Sequence, residues 1–96
     1  MKYEWNRVKA ASNLRKHGVS FDEAKTIFDD SYQETYPDVT HSIGEARYIC
    51  LGMSNKNRVI FVAYTERQGR TRIISAREAD AEEELEYYAA RSSYLG

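Results

Sequence analysis

The sequence predicts an α+β domain: a small, mainly antiparallel sheet of about four to five strands, packed by two N-terminal helices and followed by a C-terminal helix. Three observations lead there. Residues 47–53, 59–65 and 70–77 are rich in β-branched and aromatic residues and are separated by polar turns. The N-terminal quarter carries two helix starts, Asn6 and Ser20. Near the end, Asp80 followed by Glu83 opens a third helix. At 96 residues the chain is expected to form one domain, residues 1–96, with a single modest core.

In chain order, residues 2–5 read as a short opening strand. Asn6 caps a helix over residues 7–16, with Val8, Ala11 and Leu14 as its apolar side and Gly18 where a left-handed residue ends it. Ser20 and Glu23 form a capping box for a second helix to about Phe28, with Phe21, Ala24, Ile27 and Phe28 on one face. Asp29 and Asp30 end that helix in a solvated loop. Residues 33–36 form a short edge strand that Pro37 stops. The strand at 47–53 sets Arg47, Ile49, Leu51 and Met53 against Tyr48 and Cys50. The strand at 59–65 is apolar on both faces and is therefore central. In the strand at 70–77, alternation puts Thr71, Ile73, Ser75 and Arg77 on one face and Arg72, Ile74 and Ala76 on the other. In the last helix, Ala81, Leu85 and Tyr88 are the expected apolar stripe.

The formal net charge of −1 hides a strong alternation. Residues 1–25 carry six Lys/Arg against three acids, and residues 26–46 carry five acids and no base. Residues 47–77 carry seven Lys/Arg against one acid, and residues 78–96 carry six acids against one Arg. A charge run is ordinarily a solvated face. Here the basic excess falls on predicted strands, which points to an electropositive face for a polyanion. No apolar run approaches a membrane span, and the N-terminus has no signal-peptide pattern. The single Cys50 has no disulfide partner in the chain, so a reducing cytoplasm is expected.

Two His and one Cys, without ligand spacing, offer no zinc cluster. There is no glycine-rich phosphate loop or dinucleotide fingerprint, so no metal or cofactor is expected. Cys50, mid-strand among apolar neighbours, reads as a buried inert thiol. What remains is Arg47, Arg67, Arg70, Arg72 and Arg77 with Lys16, His17, His41, Glu45, Tyr64 and Ser75. That set suits RNA cleavage without a metal, in which the 2′-hydroxyl attacks the adjacent phosphate. Such a reaction needs a base, charge stabilisation on the phosphoryl oxygens and an acid for the leaving group. Arginine supplies the charge stabilisation, being planar, permanently charged and bidentate toward phosphate. Glu45 or a His can supply proton transfer, and Tyr64 can stack on an unpaired base. Plainer roles stand beside these: Glu45 can pair with Arg47, Tyr64 can be core, and Lys16 and His17 can simply complement a helix dipole.

Longer strings narrow the choice. Tyr3-Glu4-Trp5 with Lys9, the run Asn13-Leu14-Arg15-Lys16-His17-Gly18-Val19-Ser20-Phe21, Glu23-Ala24, Phe28-Asp29-Asp30, Pro37-Asp38, His41-Ser42, Glu45-x-Arg47, Gly52 and Arg72-Ile73-Ile74-Ser75-Ala76-Arg77 occur in order. This pattern resembles the BrnT-type toxins of bacterial toxin–antitoxin modules. The resemblance implies a RelE-like ribonuclease fold and growth arrest by RNA cleavage. It also implies neutralisation by a BrnA-type antitoxin of ribbon-helix-helix type, with DNA bound only through the antitoxin complex. On this reading Arg72 and Arg77 contact the reacting phosphate, and Arg47 and Arg67 add electrostatic help. Glu45 and His17 are the proton-transfer candidates, and Lys16, Tyr64 and Ser75 complete the expected RNA contacts. The chain departs from the family at Asn6-Arg7, where Asp-Pro is usual, and in its final helix, which is acidic at Glu82-Glu83-Glu84-Leu85-Glu86 where relatives tend to be basic. That acidity favours an alternative function, a non-catalytic antitoxin-binding module contributing to operon autorepression.

Overall fold

The structure, a computed structural model, describes residues 2–95. The elements are β1 (Lys2–Glu4), α1 (Arg7–His17), α2 (Phe21–Ala24) with a 3-10 continuation (Lys25–Asp29), β2 (Glu34–Pro37), a 3-10 turn (Val39–His41), β3 (Tyr48–Met53), β4 (Val59–Arg67), β5 (Arg70–Glu78) and α3 (Ala81–Leu95). The five strands form one mixed sheet in the order β1-β5-β4-β3-β2. β1 runs parallel to β5, and the other pairs are antiparallel. β4 is central, as its two-sided apolar character requires. The β4–β5 turn places Gln68 and Gly69 at φ 52° and 77°, the left-handed pair that a tight hairpin needs.

The core lies on both faces of the sheet. On one, Val19, Phe21, Ala24 and Ile27 pack against Cys50, Ile60, Val62, Tyr64, Ile73 and Ala76. On the other, Tyr87 of α3 packs against Leu51 and Val59, with Met53, Phe61 and Tyr32 around them. Ile27 sits so close to β3 that a Cβ on Gly52 would stand 2.9 Å from its Cβ and 3.0 Å from its carbonyl oxygen. Only glycine permits that approach.

Several expectations need correction. In α1, Val8 is 78% exposed and Leu14 50% exposed, so the predicted apolar side faces outward. The inward residue is Asn13, 6% exposed. Its Nδ2 donates to the carbonyls of Ala76 (2.8 Å) and Val19 (2.9 Å), and its Oδ1 accepts from the Ala76 amide (3.1 Å). β1 pairs only with residues 70–72 of β5, so the Asn13 amide completes the edge beyond it. In α3, Leu85 is 72% exposed and Tyr88 42% exposed, while Tyr87 is fully buried. Tyr87 donates to Asp30 Oδ2 (2.5 Å), which also accepts from the Met53 amide (2.8 Å). Asp30 is thus a bonded anchor for α3 and not part of a solvated loop.

Strict alternation in β5 also fails. Ala63 pairs with Ser75 and Tyr64 with Ile73, so Ile74 is an extra residue, a bulge. Ile73 and Ala76 consequently share the core face, while Arg77 lies over Phe61 on the opposite one. The strand predicted from Arg47 begins at Tyr48, and the second helix turns 3-10 after Ala24. Finally, the Ser20 capping box closes only halfway. Ser20 Oγ accepts from the Glu23 amide, but the Glu23 carboxylate turns inward to Arg58 (2.6 and 2.8 Å) and Ser54 (2.7 Å).

Candidate active site: a basic groove between α1 and the sheet

α3 packs on the sheet through Tyr87 at Leu51 and Val59, and the same side of the sheet extends past it toward the β4–β5 turn. A recess of about 310 Å³ opens there, lined by Lys9, His41, Glu45, Arg47, Thr65, Arg67, Arg72 and two isoleucines, Ile43 and Ile74. A second recess of about 210 Å³ shares Lys9 and Ile74 with it and continues along α1 past Ser12, Asn13, Lys16 and His17 to Ser75. The two form one groove. Its floor is β5 and the end of β4, one wall is α1, and the other is the loop from the Val39–His41 turn to Arg47.

Local structure fixes each charge. Arg72 pairs across the sheet with Thr65 and beside Glu4, whose carboxylate it meets at 2.8 Å. The Glu4 carboxyl is held below its ordinary range by Arg72 first and Arg70 second. Arg67 makes a bidentate pair with Glu45 at 2.8 and 2.9 Å, which likewise holds the Glu45 carboxyl down. Arg47 is placed by its backbone: its amide donates to Ser42 Oγ and its carbonyl accepts from the Asp38 amide. Its Nε is buried without a hydrogen-bond partner. Among the described residues, Lys9, Lys16 and Arg47 have no carboxylate at ion-pair distance. His41 sits with Nδ1 3.0 Å from the Asp38 carboxylate.

Of the residues expected at the site, Arg72, Arg47, Arg67 and Glu45 are brought together, and Lys16, His17 and Ser75 line the adjoining recess. Two are not. Tyr64 is 7% exposed, with its ring edge-on to Phe28 at 5.1 Å, so no face is open for a base to stack on. Arg77 lies 4.0 Å over the Phe61 ring and is bidentate with Glu83 at 2.7 and 2.9 Å, beneath the start of α3. Lys9 is not among the residues expected at the site, and His41 belongs to the candidate set without a role assigned to it. Lys9 falls seven residues before Lys16, two helical turns along one face, and that spacing was the available signal. No α3 residue lines either recess, so its acidity does not enter the groove.

Among the described residues, no group of three His, Cys, Asp or Glu side chains could hold a metal ion. None of their helices is long and apolar enough to cross a membrane.

A family model described as ribonuclease toxin, BrnT, of type II toxin–antitoxin system matches residues 5–83. The chain belongs to the BrnT family. Among solved structures it is similar to the ribonuclease toxin BrnT of Brucella abortus, with a TM-score of 0.66 at 23% identity, over 83% of this chain and 97% of that one. At that identity the likeness establishes the shared α+β fold. No curated protein matches significantly. Membership of a type II toxin family implies an antitoxin partner. The matched span includes every residue lining the groove.

Proposed function

We propose that this BrnT-family chain is an active, metal-independent endoribonuclease, a toxin that arrests growth by cutting cellular RNA in the cytoplasm. The supporting observation is the convergence of Lys9, Arg47, Arg67 and Arg72 on one groove, with an Arg47 Nε–H that lacks an acceptor. A buried guanidinium donor without an acceptor is costly. A phosphoryl oxygen would satisfy it.

In the proposed reaction, Arg72 and Arg47 bind the non-bridging oxygens and stabilise the charge that grows on them. Glu45, kept anionic by Arg67, accepts the 2′-hydroxyl proton as the new 2′-O–P bond forms. The P–O5′ bond breaks, and a histidine protonates the departing oxygen. His41 lines the same recess and is oriented by Asp38; His17 lies in the adjoining one. Lys9 and Lys16 then track the flanking backbone. Arg77 and Tyr64 are left out of this scheme because of their placement. A RelE-like fold, and neutralisation by a BrnA-type ribbon-helix-helix antitoxin that alone carries DNA binding, complete the reading.

A second reading has its own observation: Arg67 and Arg72 are already engaged by Glu45 and Glu4. If those pairs persist with RNA present, the chain is a non-catalytic antitoxin-binding module. One assay separates the two. Purified protein is incubated with RNA in EDTA, and the product ends are analysed. Cleavage leaving 2′,3′-cyclic phosphate, lost in Arg72→Ala and Arg47→Ala by roughly 100-fold or more, supports the enzyme. No cleavage by the wild type supports the binding module, and cleavage abolished by EDTA refutes the metal-independent chemistry.

A further inference from the structure

The outward side of α3 has the character of an interface. Ala81, Leu85, Tyr88, Ser92 and Leu95 recur at alternating intervals of four and three, the spacing of a helix-packing seam. Leu85 is 72% exposed and Leu95 68%, whereas the helix is held to the sheet by Tyr87 on its other side. The helix has 15 residues, about 22 Å at 1.5 Å per residue. The seam leads at Tyr88 into a cleft of about 680 Å³ between α3, the 3-10 continuation of α2 and the β3–β4 turn.

Charge decides what could cover it. Glu82 and Glu86 flank the seam on one side and Glu84 on the other, all exposed and, among the described residues, without an ion-pair partner. Two copies of α3 laid against each other would align these carboxylates and repel, so a second copy of this chain is a poor occupant. A helix with basic flanks is a good one. On the neighbouring β2 edge, Glu34 has a buried carboxylate oxygen without a hydrogen-bond partner, and the negative charge of Glu86 acts on it. A cationic side chain entering there would relieve both.

We propose that the outer seam of α3 is a docking face for the antitoxin, and that the docking segment is an amphipathic helix with an apolar stripe flanked by Lys and Arg. This rests on the toxin–antitoxin assignment and is independent of the ribonuclease reading. Because α3 lines neither recess of the groove, docking here anchors the antitoxin without itself occupying the site.

The test is isothermal titration of the full chain with a BrnA-type antitoxin, at two salt concentrations. Leu85→Asp is expected to raise Kd by roughly 30-fold or more, as loss of a central apolar anchor does. Glu82→Lys with Glu86→Lys should flatten the salt dependence. Val8→Asp, on the exposed side of α1, should bind like the wild type. Circular dichroism of each variant checks folding, and hydrogen exchange of the wild-type complex should show new protection over residues 81–95. Unchanged affinity in Leu85→Asp, weakening by Val8→Asp alone, or self-association of the free chain through this seam would overturn the proposal. The cleavage assay is scored separately on free Leu85→Asp, so an inactive toxin leaves the docking result intact.

Discussion

Asn13 is the residue on which the placement of α1 depends, and removing its side chain gives a sharp prediction. Asn13→Ala deletes three hydrogen bonds, of 2.8, 2.9 and 3.1 Å, and strands the Ala76 amide and carbonyl and the Val19 carbonyl. At about 1 kcal/mol per bond, the loss is roughly 3 kcal/mol, and more if the stranded backbone stays dry. Alanine's better helix propensity returns roughly 0.5 kcal/mol. A chain of this length has about 5–15 kcal/mol in total, so the variant should retain its fold only narrowly. Urea denaturation should show the midpoint falling by roughly 1–3 M, taking a slope of about 1–3 kcal/mol per M. The control is the adjacent Leu14→Ala, a larger apolar deletion at a half-exposed position, expected to cost less than about 0.5 kcal/mol. A helical-periodicity argument ranks the two variants the other way. If Asn13→Ala costs under about 1 kcal/mol while Leu14→Ala costs more, then α1 lies on the sheet by its apolar stripe and not by the Asn13 amide.

Other outcomes follow from the same geometry. Arg77→Ala should lower stability by about 1–2 kcal/mol, through loss of the Glu83 pair and the Phe61 contact, without slowing RNA cleavage; a cleavage defect in the folded variant would return Arg77 to the site. Arg58 and Ser54 hold the Glu23 carboxyl below its ordinary value of 4.5, so its stabilisation is complete above that pH and is lost as pH falls through the lower folded value. Glu23→Gln should therefore flatten the acid limb of a stability–pH curve measured by chemical denaturation, and an unchanged limb would count against this. Burial pushes the Cys50 thiol up to about 12. It should resist a thiol-reactive dye at pH 8 until denaturant is added, and fast labelling of the native chain would contradict its burial.

The sequence revealed which segments are helices and strands far better than which sides of them face inward. Hairpins and capping residues are local signals, so β3, β4, β5 and all three helix starts were readable. Helix orientation is settled by partners elsewhere in the chain. Asn13 is buried because a strand edge sixty-three residues away needs its amide, and no periodicity in residues 7–17 encodes that need. Tyr87 and Tyr88 are alike in composition, and the Asp30 carboxylate selects between them. At the site, Arg67 and Arg72 converge because β4 and β5 are joined by a two-residue turn, a legible feature, while Arg47 is held just before β3 by Ser42 and Asp38. Lys9 and His41 arrive from a helix and a loop whose docking is non-local.

The unpaired residue at Ile74 makes the end of β5 sensitive to length in a way that composition does not betray. Arg72 and Arg77 are five positions apart, an odd interval that an even pleat would send to opposite sides of the sheet. One supernumerary position restores them to the same side. Excising it would leave an even interval whose regular pleat keeps the two arginines on that side, whereas inserting one more residue would turn the last residues of the strand over, driving a guanidinium toward Val62 and Tyr64 and expelling Ala76 into water. Lengthening this strand by a single codon should thus be far more harmful than removing its bulged residue.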